Sequence, residues 1–419
     1  MLGPQLPGGS DTVNVPECQL GSEPWKVVIG CFCLTVPIYG LLSSIGLFQT
    51  YWRNHQLSDY SESEVSWIIS MFGFLDCFFG GPSGILFDRY GVRWLLPLAS
   101  IVYVASFIGL GFSSTYGQFM GCLSVAGMSA AIPTTIAFAV VSQWFSLREG
   151  IATGFVTLGA AVGGIFFSLI LQVLFDHFAW KTSALALSGV VSGFMLVGNM
   201  LVETNVSRQG ASEKWDFAEL WSLSKSLKFW LISYAFFAYE LVLFIQWGSI
   251  PTYAVSVGVG SNQFHLMMSY NVGAILGRTI PLWVSDGKLG PLNTIILMNI
   301  FTLLTAVAVW LPFGASSIQA LYVVVVLMGI GTGSFVPLGV ACVSALCEPE
   351  STGTWLGSVY SFAGFATLIG NPSTGAILAR YKSHGLVAFL AAVLFSGLVS
   401  ATALRWLCHG RRWIVRKRI

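Results

Sequence analysis

The sequence predicts an all-α membrane protein, with twelve transmembrane helices in two six-helix halves. Three observations carry this: a charge-poor apolar composition, twelve apolar runs of spanning length, and one long charged interruption near the middle. Of 419 residues, 55% are hydrophobic and 9% are charged, whereas an ordinary soluble domain carries about 25% charged residues. The mean hydropathy of +0.76 fits a polytopic chain rather than a soluble one with a large core. A net charge of +2 says little, because placement matters more than the sum. Most of the eight Cys lie in apolar runs (Cys31, Cys33, Cys77, Cys122, Cys342) and read as small packing residues. Cys31 and Cys33 have no His or second Cys pair beside them, so no metal or disulfide is expected there.

Residues 1–24 hold three acids but no Lys, Arg or apolar core, so they read as a short cytoplasmic tail rather than a cleaved signal peptide. A bilayer takes about 20 predominantly apolar residues per helix. Such runs begin near Trp25, Val65, Trp94, Tyr116, Gly150 and Thr182. They resume near Phe229, Gln263, Leu292, Ile318, Thr354 and Leu386. The halves are therefore 25–202 and 229–408, with an inter-half linker at 203–228 and a basic tail at 409–419. Within the linker, FAELWSL suits either a short amphipathic surface helix or a solvated loop.

Charge placement gives the orientation. With the N-terminus in the cytoplasm, the inner loops hold Arg89, Arg93, Arg148, Arg208, Lys214, Lys225, Lys228 and Lys288. Arg405, Arg411, Arg412, Arg416, Lys417 and Arg418 at the chain's end add to them, against Arg53, Lys181, Arg380 and Lys382 on the other side. The positive-inside rule then puts both termini in the cytoplasm. An integral, multi-pass protein of the plasma membrane is expected, its basic tail against the anionic inner leaflet. The Asn205-Val-Ser207 sequon falls in the cytoplasmic linker and is discounted.

Two motifs recur at the turns. GILFDRYGVR (84–93) follows the second run, and GRTIPLWVSDGKLG (277–290) follows the eighth. Each places an acid, a base and a Gly at an equivalent cytoplasmic turn (Asp88 in the first, Asp286 in the second), as internal repeats of secondary transporters do. Gly84 suits close helix approach, and Gly91 suits a turn with positive φ. Asp88 can pair with a base at the helix end, with Arg89 and Arg93 at the membrane face. A third motif is WFSLREGIATGFVTLGAAVGG (144–164), where Arg148 precedes Gly150, Gly154, Gly159 and Gly163. Glycines four apart give a smooth face for close packing.

The first of these motifs resembles the loop 2–3 signature of the major facilitator superfamily. The third, with FAW (178–180), GTGSFVPLGVACVSAL (331–346) and GTWLGSVYSFAG (353–364), is similar to the monocarboxylate transporter family, in particular its fungal branch. The resemblance runs through nearly all of the chain. It implies the fold above, transport by alternating access, and a latch between the halves formed by the 84–93 cluster. Departures are specific: Trp355 stands where fungal relatives usually carry Arg, and the first-helix signature keeps only Trp25 clearly. Animal members use a Lys in helix 1, matched here by Ser43, and an Asp in helix 8, matched by Ala274. Their helix-8 Arg is matched by Arg278.

Three ionisable residues lie deep in the runs: Asp76, Glu240 and Arg278. A charge at mid-bilayer costs at least about 2.5–3.5 kcal/mol, so such residues usually face a cavity. Counted from the cytoplasmic helix ends, their depths agree within about 6 Å at 1.5 Å per residue. Asn271, Arg278 and Ser285 are seven apart and share one face of the eighth helix. We therefore expect Arg278 to bind the carboxylate of an organic anion, since a guanidinium fork matches a carboxylate. Asn271, Tyr39 and Ser43 are further substrate-binding candidates. Glu240 is expected to neutralise Arg278 without substrate and release it on protonation, with Asp76 as the other proton site. Burial and a neighbouring Arg act oppositely on a carboxylate. The alternative is a structural Arg–Glu pair that only ties the seventh and eighth helices together. Gln246 and Tyr239 are expected to extend the cavity, and Trp247, Tyr270 and Phe335 to shape it. With 15 Trp, 13 Tyr and 31 Phe, one aromatic alone carries no weight. Trp25, Trp94, Trp406 and Trp413 sit near helix ends as interface anchors.

No metal-spaced His/Cys cluster, nucleotide-binding GxxxxGK[ST] or nucleophile elbow occurs, so no enzyme, cofactor or ATP-driven pump is expected. No nucleic-acid partner is indicated, and nothing specifies an accessory protein. The leading reading is a proton-coupled transporter (symporter) of a monocarboxylate or related organic anion. A second is an exporter of a carboxylated secondary metabolite. A third, of another class, is a non-transporting nutrient sensor, for which the short linker and tail leave little room. The buried charges argue against facilitated diffusion of a neutral solute.

Overall fold

The computed structural model describes residues 22–145, 149–204, 223–258, 260–285, 289–347 and 352–408. Helices account for nearly all of them, because a backbone in hydrocarbon must satisfy its own hydrogen bonds. The first part contains α1 (Ser22–Ser43), α2 (Ile45–Asn54), α3 (Glu62–Tyr90), α4 (Val92–Gly111), α5 (Tyr116–Trp144), α6 (Glu149–His177) and α7 (Trp180–Leu201). The second contains α8 (Leu227–Ser256), α9 (Gln263–Val284), α10 (Pro291–Leu304), α11 (Ile318–Gly333), α12 (Phe335–Ser344) and α13 (Thr352–Cys408).

Local chemistry sets the breaks. Ser44 interrupts α1 and α2 at φ −105 and ψ 8, so the two form one bent span. Ser61 caps α3 with a capping box, its hydroxyl accepting from Glu64 N while the Glu64 side chain accepts from Ser61 N at 2.7 Å. Gly91 takes φ 69 between α3 and α4, the positive angle expected for it. Past α10, residues Thr305–Trp310 adopt π-type hydrogen bonding and lead to Phe313.

Ten helical spans among the described residues are long and apolar enough to cross a bilayer. One of these, over α13, is two legs that meet at Lys382, whose φ of 56 turns the chain. Missing from the ten is α9, although its 22 residues are long enough, because its polar residues dilute it. With the legs counted apart and α9 included, the twelve expected runs all have helices, beginning within about three residues of the expected starts, inside the usual boundary error.

Packing joins the parts at three main junctions. α3 lies along α13, α6 along α9, and α2 against α8. Within the parts, α1 packs on α6 and α7, α3 on α5, and α9 on α11. Glycines set the closest approaches. A Cβ on Gly163 would sit 2.5 Å from the Val36 carbonyl oxygen, and one on Gly40 would sit 2.6 Å from Gly163 Cα. Gly159 meets Thr35 in the same seam. Gly154 faces α9 instead, 3.1 Å from Leu282 Cδ1. Gly150 lies in the first turn of α6. Large apolar side chains such as Leu98, Ile101, Val173 and Met200 point outward, as a lipid-facing surface requires.

Candidate functional site

The three deep charges lie on different helices: Asp76 on α3, Glu240 on α8 and Arg278 on α9, all buried. The polar stripe of α9 faces inward as its spacing predicts, with Asn271, Arg278 and Ser285 buried while Val272, Leu276, Ile280 and Trp283 are exposed.

Arg278 and Glu240 line one cavity at the meeting of the two parts. Its water-accessible space is about 30 Å³, room for about two waters. Tyr39 of α1, Cys77 of α3, Phe138 of α5, and Thr157 and Ala160 of α6 form one wall. Glu240, Leu243, Phe244 and Trp247 of α8, Arg278, Val336 of α12 and Tyr360 of α13 form the other.

The guanidinium is only partly satisfied. Arg278 Nη1 donates to the Thr157 main-chain oxygen at 2.5 Å, while its buried Nε–H has no partner. Glu240 and Arg278 do not form the direct pair expected from the sequence. The ion pairs among the described residues are Lys26–Glu23 and Arg53–Glu62. A main-chain carbonyl across the cavity, rather than a carboxylate, holds the Arg. Glu240 itself has no hydrogen bond among the described residues. Asp76 sits beside the cavity-lining Cys77; one carboxylate oxygen accepts from Thr134 at 3.4 Å, and the other, Oδ2, is buried without a partner.

Other expected site residues fall elsewhere. Tyr39 lines the cavity, but Ser43 and Asn271 do not. They converge on Gly164, where an added Cβ would overlap Ser43 Oγ and Asn271. Their polar atoms are used locally: Ser43 Oγ donates to Gly40 O at 2.9 Å, and Asn271 Nδ2 to Met267 O at 2.9 Å. Nor do Gln246 and Tyr239 extend the cavity. Thr332 Oγ1 donates to Gln246 Oε1 at 3.1 Å, and Asn299 Nδ2 donates to Tyr239 OH at 3.1 Å. Tyr270 bonds Thr332 at 2.7 Å, and Phe335 stacks on Tyr239 at 4.5 Å, so of the three deep aromatics only Trp247 shapes the cavity.

Gly84 is not a close-packing position, since a Cβ there would lie 3.8 Å from Thr135 Cγ2, an ordinary contact. Arg89 and Arg93 are exposed, each over the ring of its neighbour, Tyr90 or Trp94. Arg148, Asp286 and the side chain of Asp88 lie outside the described residues, as do 1–21, 205–222 and 409–419 of the tail and linker regions. Trp25 and Trp94 are exposed near helix ends as expected of interface anchors; Trp406 is half-buried, and Trp413 lies outside the described residues.

The sequence reading missed Thr157, Phe138, Phe244 and Tyr360 as cavity residues. A signal for Phe244 was available: it lies four residues after Glu240 and three before the expected Trp247, on the same helix face.

Comparison with known proteins fits this architecture. The family model described as Major Facilitator Superfamily matches residues 27–301 and 232–418. The MFS-type transporter hasB of Aspergillus fumigatus is 31% identical over 412 residues, covering 94% of this chain and 91% of that protein. The agnestins efflux protein AgnL12 of Paecilomyces divaricatus is 29% identical, covering 94% of this chain and 91% of its own length. A crystal structure of the nucleoside transporter NupG superposes with a TM-score of 0.65 at 14% identity, covering 93% of this chain and 99% of that one. That likeness speaks for the fold. A multi-pass helical membrane chain with this family match is a transporter rather than an enzyme, and it belongs to the major facilitator superfamily.

Proposed function

We propose that the protein carries an organic anion, a monocarboxylate or related acid, across its membrane by alternating access coupled to protons. The observation that carries the reading is Arg278: buried, bonded once to a main-chain oxygen, and with an unpartnered Nε–H beside a cavity. A guanidinium left part-bonded in a membrane interior is costly until cavity water or an anion completes it, and an anion supplies charge as well as hydrogen bonds. Glu240 in the same cavity, and Asp76 beside it, are the proton sites of this reading. Residues 25–202 and 229–408 act as two halves that rock about the cavity, joined by 203–228. Gly84, Asp88, Arg89, Gly91, Arg93 and Asp286 latch them at the cytoplasmic ends, where both termini lie, and the plasma membrane is the proposed residence. Membership of the monocarboxylate transporter family is part of the proposal, supported by the motifs over 144–164 and 331–364.

The test is flux of labelled acids into proteoliposomes, with Arg278→Lys and Arg278→Ala at matched protein density. Both variants are expected to lose affinity, the Lys variant less. Unchanged affinity in both overturns the carboxylate role.

A second reading, export of a carboxylated secondary metabolite, is favoured by the relative named as an efflux protein. The chemistry at Arg278 is the same, and only the direction differs. Release from preloaded vesicles exceeding uptake under the same gradient supports it.

A further inference from the structure

The cavity holds more aromatic surface than an anion anchor needs. Tyr39, Phe138, Phe244, Trp247 and Tyr360 all face Arg278 and Glu240. The rings of Phe244 and Trp247 lie 5.1 Å apart at 53°, an inclined pair rather than a stack. The ring edge of Phe244 rests on Gly73 of α3, where an added Cβ would overlap it. Phe236 meets Tyr360 edge-on at 5.5 Å, fixing it from the far side.

The polar ends of the cavity are also unspent. The fully buried Tyr103 and Tyr270 spend their hydroxyls inside the fold, on Pro37 O at 3.1 Å and Thr332 at 2.7 Å, whereas Tyr39 and Tyr360 are half-buried at the cavity wall. Tyr39 and Tyr360 have no hydrogen bond among the described residues, and neither does Glu240. Together with Arg278, whose buried Nε–H is also without a partner, this places donors and acceptors in the walls of one aromatic-lined space. Packing alone does not call for that combination. A ligand with a flat face, an anionic group and a hydrogen-bond donor satisfies all of it.

We infer that the carried anion is aromatic: its ring lies among Phe244, Trp247 and Tyr360, its anionic group on Arg278, and a ring-borne hydroxyl on Glu240. This rests on the organic-anion reading and narrows it. The 30 Å³ space must widen to admit the ring, so the aromatic walls are expected to close on the ligand after entry.

The test compares four acids of one charge and similar size in proteoliposomes of the full chain: benzoate, 4-hydroxybenzoate, cyclohexanecarboxylate and 4-hydroxycyclohexanecarboxylate. Half-saturation is expected at about tenfold lower concentration for each aromatic acid than for its saturated counterpart, the size of one well-formed aromatic contact. The hydroxyl is expected to add a further preference that Glu240→Ala removes. Trp247→Leu should erase the aromatic preference and Trp247→Phe restore it, with Tyr360→Leu as a second site. Equal affinity for flat and saturated rings, with flux still lost in Arg278→Lys, overturns the aromatic proposal and leaves the organic-anion reading standing. Flux of every acid indifferent to both Arg278→Lys and Arg278→Ala overturns both. No flux of any of the four overturns the aromatic proposal.

Discussion

Arg278 and Glu240 share a cavity without touching, and that spacing has a kinetic meaning. Were they paired, an arriving anion would have to break a buried ion pair. Instead the Thr157 carbonyl holds one arm of the guanidinium, leaving the rest for substrate. Glu240 is then free to carry a proton. For one proton per anion, an inward gradient of one pH unit drives about tenfold accumulation, since each pH unit is worth about 1.4 kcal/mol. Glu240→Gln keeps the size and removes the titrating group. It is expected to exchange labelled for unlabelled acid but not to accumulate acid on the gradient. Accumulation equal to that of the unaltered protein would move the proton site to Asp76, where Asp76→Asn gives the matching measurement. The charged members of this site are legible in the sequence, because an ionisable residue in an apolar run stands out. Its aromatic walls are legible only in part, at Tyr39 and Trp247, because Phe, Tyr and Trp look alike in sequence whether they face lipid or cavity. Only their spacing from Glu240 on α8 separates them. Asn271 is on the inward face of α9 that its spacing predicts but packs on Gly164 of α6 outside the cavity, because periodicity gives the face and not the neighbour it meets.

At the scale of the helix, glycine spacing alone does not reveal which glycines are structural. Gly163 and Gly84 both sit in motifs that suggest close packing. The first meets the Val36 oxygen at 2.5 Å through its would-be Cβ, and the second meets only Thr135 at 3.8 Å. Gly163→Ala therefore drives backbone against backbone, which has little room to yield. It is expected to cost about 1–3 kcal/mol, the usual range for overpacking. Gly84→Ala is expected to stay within about 0.5 kcal/mol, as for a site away from tight contacts. Thermal unfolding of the two variants in one detergent checks this; equal midpoints would sink the distinction. The helices themselves were readable from apolar length. The two legs that meet at Lys382 are legible too, as separate runs from Thr354 and Leu386, but the bend at Ser44 is not, since it has no Pro or Gly at its centre.

For the whole molecule, a space for about two waters cannot pass an organic acid, so the two parts must move apart for transport. α3 and α13 are the place to test this, since they run together along much of their length. Ser63 Oγ donates to Pro372 O at 2.9 Å near the start of α3. Nearer its other end, a Cβ on Gly357 would lie 3.5 Å from Gly81 Cα. One Cα–Cβ bond further on, the two Cα atoms lie no more than about 5 Å apart, within the reach of a disulfide, whose Cα atoms usually lie about 4.4–6.8 Å apart. The pair Gly81→Cys and Gly357→Cys is therefore expected to cross-link on oxidation and arrest flux, with reductant restoring it. Each single variant should transport with or without oxidant, which excludes a contribution from Cys77 nearby. Binding of the acid in detergent should survive the cross-link if the cavity forms in the closed arrangement, separating arrest from loss of the site. Full flux through a completely cross-linked protein would mean that this junction stays closed throughout the cycle. The opening would then have to occur along α6 and α9 or α2 and α8, and Arg278, anchored on Thr157 across the α6–α9 seam, would become the element that moves.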